Sequence, residues 1–277
     1  MKPLRLRRSR REVGEMTGPQ IRFEDGAAYE RMMGVWSRLA GEVFIDWLAP
    51  QSGLRWIDVG CGSGAFSQLI IERCAPAEVQ GIDPSDAQLA YARSRPTAQL
   101  AQFRVADARA LPFPENRFDV AVMALVVFFV PDPKKGVAEM ARVVRPGGLV
   151  ASYTWDILHG GFPNEPLMAA MRKSGRPPPL PPSAAASEMN ALETLWREAG
   201  LDQIDSKEIS VSRTFRDFDD FWSTSTLGTN VRAMIAGMSA KEIEELQSHA
   251  RRQVTVGSTG TITCKARANA IKGRVPY

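Results

Sequence analysis

The chain has 277 residues, 44% of them hydrophobic, enough to bury a full core as one large α/β domain or two small ones; one domain with insertions is the expected arrangement. Its longest apolar stretch, residues 120–130, is too short to span a bilayer, and no signal-peptide pattern opens the chain, so a cytoplasmic protein without a membrane span is expected. Three cysteines, Cys61, Cys74 and Cys264, fall in segments reading as loop, helix and strand, without C-x-x-C spacing or a nearby histidine cluster, which argues against both a disulfide framework and a metal site.

The net charge of +4 comes from one place. Lys2, Arg5, Arg7, Arg8, Arg10 and Arg11 all precede Glu12, and removing these six turns +4 into −2 for the rest. Residues 1–22 are therefore expected to be a disordered basic tail with no apolar face to dock, and no nucleic-acid partner is expected because no basic patch interleaved with aromatics follows. From residue 23 a helix capped by Asp25 is expected through Tyr29 and Met33. A second, from Ser37, places Leu39, Ala40, Val43, Phe44, Trp47 and Leu48 at spacings of three and four, and Pro50 and Gly53 end it.

Residues 56–67 read W-I-D-V-G-C-G-S-G-A-F-S: an apolar run closing on Asp58, a loop of Gly60, Cys61, Gly62, Ser63 and Gly64, and a helix-forming run from Ala65. Such a strand, glycine turn and helix bring a ligand against bare backbone and the first helix N–H groups. Taken literally, Gly60-x-Gly62-x-x-Ala65 with Asp83 downstream satisfies the dinucleotide fingerprint, so a nicotinamide cofactor is a formal candidate. Asp58 opposes it, since a pyrophosphate there would set like charges together in a poorly screened crevice. S-adenosylmethionine carries no phosphate but an ammonium and a sulfonium. The stretch resembles motif I of the class I S-adenosylmethionine-dependent methyltransferases, h-h-D-h-G-x-G-x-G, and the resemblance implies that Asp58, Gly60, Cys61, Gly62 and Ser63 surround the methionine end of that cofactor. The preceding words Y-E-R-M-M-G-V-W-S-R, residues 29–38, resemble a segment of small-molecule methyltransferases of the ubiquinone/menaquinone-biosynthesis type. There the resemblance implies cofactor contact by Tyr29 and Trp36; ordinary packing is the alternative.

Strands and helices then alternate as parallel strands require: helix 65–74, strand 78–83, helix 87–95, strand 102–106. G-I-D-P-S, residues 81–85, resembles the family's second motif, with Asp83 to accept both ribose hydroxyls and Pro84 to turn the chain away; a plain helix cap is the alternative. Gln88 stands where relatives carry an apolar residue against the adenosine. V-A-D-A-R-A-L-P-F, residues 105–113, resembles the adenine-binding turn, which implies that Asp107 accepts from the exocyclic amine and the Ala108 N–H donates to a ring nitrogen. The fourth strand, 118–125, is nearly continuous apolar sequence, as a strand covered on both faces should be, and Ala124 near its end belongs to the implied cofactor set. Beyond it, Phe128 and Phe129 replace the polar pair frequent in relatives and make an apolar pocket mouth; core packing of both rings is the alternative. A helix over 133–144 and the turn Arg145-Pro146-Gly147-Gly148 lead to a fifth strand, 149–153, followed by Thr154-Trp155-Asp156.

The remainder departs from the motif pattern. Residues 157–186 hold a short helix and the proline run 177–182, expected as part of a substrate cover. A helix over 187–199 and a sixth strand at 204–211 follow, then a second insertion, 213–255, with Phe215, Phe218, Phe221, Trp222 and an amphipathic helix over 240–252. The family topology supplies a seventh strand, 260–268, antiparallel between the fifth and sixth. The expected fold is thus a Rossmann-like α/β sheet of order 3-2-1-4-5-7-6 with helices on both faces, in a domain covering 23–277. The expected activity is methyl transfer from S-adenosylmethionine to a small, largely apolar acceptor held by Phe128, Phe129, Trp155, Phe218 and Trp222, with His159 and Asp156 as candidate bases. A non-catalytic S-adenosylmethionine-binding protein and a nicotinamide-dependent oxidoreductase are the alternatives. The acceptor and the oligomeric state are open.

Overall fold

The computed structural model describes residues 30–277. The basic tail and the Asp25-capped helix start, Tyr29 included, lie outside them. A π-helical turn, Glu30–Gly34, enters α1 (Val35–Leu48), which buries Trp36, Ala40, Gly41, Phe44, Ile45 and Leu48. The stripe expected from spacing is displaced: Leu39, Val43 and Trp47 are only partly buried, and Trp36 and Ile45 take the inner face.

The alternation of strand and helix gives β1 (Arg55–Val59), α2 (Ala65–Cys74), β2 (Glu78–Asp83), α3 (Asp86–Arg93), β3 (Gln102–Val105), β4 (Phe118–Ala124), α4 (Pro133–Val143) and β5 (Val144–Trp155). Asp132 caps α4 by accepting from the Lys135 N–H (3.0 Å), with Pro133 at the first helical position. The sheet runs β3-β2-β1-β4-β5-β8-β6, with β6 at Asp202–Phe215 and β8 at Ile262–Arg274; a two-residue β7, Thr255–Val256, pairs only with β8. The first five strands are parallel and β8 is antiparallel to both neighbours. With β7 set aside, this is the expected order.

Two boundaries differ for physical reasons. Arg145-Pro146-Gly147-Gly148 does not precede β5 but lies inside it: Val144 already pairs with Phe118, the register shifts before Leu149, and Gly147 takes φ +73° while its N–H donates to Val275 O (2.8 Å). β8 runs to Arg274 instead of stopping at 268, because its later residues pair with β5 on one side and β6 on the other.

Alternate residues of the central strands feed two cores. Trp56, Val120, Val122 and Tyr153 join Phe44, Leu69 and Ile70 on one face; Ile57, Val59, Ala121 and Met123 join Val137, Met140 and Trp196 on the other. Each fully buried Val, Leu, Ile, Phe or Met among them contributes roughly 1.5–3 kcal/mol. The C-terminal half adds α5 (Glu165–Lys173), α6 (Met189–Glu198), α7 (Phe218–Ser225), α8 (Thr229–Ala236) and α9 (Ala240–Arg251), the last opened by a reciprocal capping box of Ser239 and Glu242. Among the described residues no helix is long and apolar enough to cross a membrane.

Candidate functional site

A crevice of ≈ 1300 Å³ opens at the carboxyl ends of β1, β2 and β4. That exceeds the roughly 300–1,000 Å³ of a single small-molecule pocket. Its floor is the loop between β1 and α2. Gly60 N and Cys61 N both donate to Ile82 O (2.8 and 2.9 Å), and Gly62 N donates to Asp83 Oδ2 (3.0 Å), which locks the loop to the end of β2. The glycines have separate jobs. A Cβ on Gly64, at φ +76°, would come within 2.9 Å of Ala92 Cβ, so this glycine lets α2 approach α3. A Cβ on Gly62, at φ +50°, would meet nothing nearer than Gln88 Oε1 at 3.9 Å and would stand in the crevice, in the space left for a ligand.

Two carboxylates flank this loop, with no cation paired to either among the described residues. Asp58 is fully buried; its Oδ2 accepts from Ser67 Oγ (2.6 Å), while Oδ1 has no partner among the described residues. Burial pushes its pKa up to about 7 against the Ser67 hydrogen bond, and the charge of Asp83 adds to the rise. Asp83 accepts from Gly62 N and, through Oδ1, from Ser85 N (2.8 Å); burial raises its pKa too, opposed by those two backbone donors. Neither has an ion-pair partner among the described residues. Burial also raises the Cys61 thiol well above its ordinary value, with Asp58 and Asp83 adding to it, so that thiol is an uncharged wall.

Asp58, Gly60, Cys61, Gly62, Ser63, Asp83, Pro84, Gln88, Asp107, Ala108 and Ala124 all line the crevice. Asp107 is not bare: Arg109 donates to both its oxygens through Nε and Nη2 (2.6 Å at the shortest) and holds its pKa below the usual carboxylate value. That partner is visible in the sequence two positions on, but only the fold shows its side chain turned back. Trp36 does not reach the crevice; it is buried in the core beside α1.

The residues expected around an acceptor are scattered. Phe129 lines the crevice with Val130 and Pro131. Phe128 is buried behind it at 4.5 Å between ring centroids, and Trp155 is buried in the opposite core. Phe218 and Trp222 pack on one another and on Phe221 and Arg251, away from the opening. Asp156 and His159 also lie off the crevice. Asp156 Oδ2 accepts from Arg267 Nη2 (2.6 Å) and its Oδ1 lies 2.9 Å from His159 Nδ1, an arrangement that joins the end of β5 to β8. Sequence reading missed Leu180 and Pro182 as individual lining residues. They reach the crevice because Ser183 N donates to Phe128 O (3.0 Å) and Ser183 Oγ to Val130 O (2.7 Å), which draws the proline run over the 127–130 turn.

Residues 57–152 match a family model described as a methyltransferase domain. The ubiquinone/menaquinone biosynthesis C-methyltransferase UbiE of Dinoroseobacter shibae is 35% identical over 121 residues, 42% of this chain and 48% of that protein. The chain thus spans about half the length of the curated relatives it matches. Among solved structures, phosphoethanolamine N-methyltransferase 2 of Haemonchus contortus in complex with S-adenosyl-L-methionine superposes with a TM-score of 0.57 at 18% identity, over 90% of this chain and 56% of that one. The [4+2]-cyclase SpnF gives 0.55 at 21% identity, over 87% and 81%. These structural likenesses concern the fold, and proteins of differing named activity share it. The match to a methyltransferase domain thus covers residues 57–152, which lie inside the Rossmann-like sheet that the resemblance implied.

Proposed function

We propose that this chain transfers a methyl group from S-adenosylmethionine to a small, largely apolar acceptor. The observation that carries the reading is the pair Asp58 and Asp83 beside a glycine loop: two carboxylates without a paired cation among the described residues suit a ligand with an ammonium, a sulfonium and two ribose hydroxyls, and repel a pyrophosphate. The open space before Gly62 and the unpartnered Asp58 Oδ1 are the features such a cofactor fits. Bound there, it supplies a methyl group already activated toward a nucleophile.

The residues then have work of alignment and exclusion. Each Asp83 oxygen, holding one backbone N–H, keeps a lone pair for a ribose hydroxyl. Asp58 Oδ1 is the acceptor available to an ammonium. Asp107 and the Ala108 N–H are assigned to adenine, with Arg109 holding the Asp107 carboxylate in place. Phe129, Val130 and Pro131, with Leu180 and Pro182 drawn over them, wall the remaining space with apolar surface that keeps water from the acceptor. The test is incubation of the protein with isotopically labelled S-adenosylmethionine in a metabolite extract, with mass spectrometry of the products. Acceptor-dependent S-adenosylhomocysteine and one labelled small molecule are expected. Cofactor binding without turnover would favour a non-catalytic binder, and tighter binding of NADH would overturn the assignment.

A further inference from the structure

The π-helical turn Glu30–Gly34 is gripped from two sides. On the crevice side, Glu30 Oε1 accepts from Ser63 Oγ (3.0 Å) and pairs with Arg95, whose Nε donates to Ser63 O (2.5 Å) and Nη1 to Gln68 Oε1 (2.9 Å). On the other side, Arg213 of β6 donates through Nη1 to Arg31 O (3.3 Å) and Met32 O (3.2 Å). Met32 also packs on the second insertion, where a Cβ on Gly228 would lie 3.2 Å from its Sδ. Glu30, Gly34, Ser63, Gln68 and Arg95 all line the crevice. A π-turn is rare and recurs at functional sites, and this one is held by side chains from elements distant in sequence.

We propose that Arg95 and Glu30 are positioning residues, a latch that holds this turn across the glycine loop and closes the cofactor half of the crevice behind its occupant. The inference rests on the cofactor reading given above. Each of the three nitrogens of the Arg95 guanidinium is engaged, with Ser63, Gln68 or Glu30, so its role is to hold the wall, not to grip the ligand. Its side chain is 15% exposed and that of Glu30 26%, which separates the pair from surface bridges of negligible worth. Removing one partner leaves the other charge half-buried and uncompensated, so the closed turn loses its hold as a unit. The second insertion, which does not line the crevice, thereby gains a place in the site: through Arg213 and Met32 it backs the turn that Arg95 latches.

The test uses the full chain with S-adenosylhomocysteine as the probe and stopped-flow binding as the readout. Arg95→Gln and Glu30→Gln should each speed dissociation about tenfold, with association and the melting temperature of the free protein little changed. Arg95→Lys, which keeps the charge and loses the fork, should fall between. Wild-type dissociation in Arg95→Gln overturns the latch. Failure of the wild type to bind S-adenosylhomocysteine overturns the cofactor reading instead. In that case hydrogen exchange of the amides of residues 31–37 decides the latch: faster exchange in Arg95→Gln supports it and unchanged exchange overturns it.

Discussion

Asp58 has no exposed surface, hydrogen bonding from Ser67 alone and one oxygen without a partner among the described residues, so ionising it in the ligand-free protein means moving a charge out of water with little to replace the water. With its folded pKa raised to about 7 from an ordinary 3.8, the native state binds the proton more tightly than the unfolded chain. The contribution to stability is therefore fully present below about pH 4 and is lost as pH rises to about 7. At about 1.4 kcal/mol per pH unit the loss is on the order of 4 kcal/mol. Thermal denaturation across that window should show a decline in the wild type that Asp58→Asn flattens; equal slopes in the two proteins would remove Asp58 as its source. A cationic ligand beside Oδ1 favours the ionised form, so cofactor affinity should rise over the same window. For Asp83, loss of the carboxylate in Asp83→Ala should weaken S-adenosylmethionine binding by about 1.5–3 kcal/mol by calorimetry. Wild-type affinity would refute the ribose assignment. Both acids were legible in the sequence because each closes an apolar strand run. The hydrogen bond from Ser67 was not, since it depends on which way the first turns of α2 face.

At the level of elements, the glycine loop separates folding from binding. Gly64→Ala puts a methyl 2.9 Å from Ala92 Cβ at φ +76°, so it should lower stability by about 1–3 kcal/mol. Gly62→Ala carries only the backbone strain of φ +50°, but its methyl stands in the crevice. It should melt closer to the wild type and lose cofactor affinity the more severely of the two. If both variants lost stability and affinity in parallel, the loop would not divide in this way. Residue pattern located this loop and the strands around it because period and chain breaks are local properties. It misplaced what depends on partners: the start of β5, absorbed into a bulge against Phe118, the end of β8, prolonged by two neighbours, and the buried stripe of α1, rotated to put Trp36 inside.

Across the whole molecule, the sheet puts its carboxyl ends at the crevice, as open α/β folds do, and the two insertions meet that edge differently. Length and a proline run suggested that the first covers an acceptor, and aromatic content suggested it of the second. The first does reach the opening, because Ser183 ties the proline run to the 127–130 turn and delivers Leu180 and Pro182. The second stacks Trp222 on Phe218, with centroids 6.1 Å apart, places Arg251 3.8 Å over the Phe218 ring, and leaves none of these side chains at the crevice. Composition cannot separate these cases, since a ring that walls a pocket and a ring that packs an insertion have the same chemistry. Substitution can. Phe129→Ala removes apolar wall from the acceptor half and should raise the acceptor KM about tenfold, with S-adenosylmethionine affinity unchanged. Trp222→Ala should cost about 1–3 kcal/mol of stability through lost packing, with the acceptor KM of the remaining folded enzyme unchanged. A raised KM in Trp222→Ala would return the second insertion to the acceptor site, and an unchanged KM in Phe129→Ala would move the acceptor away from the 127–131 turn.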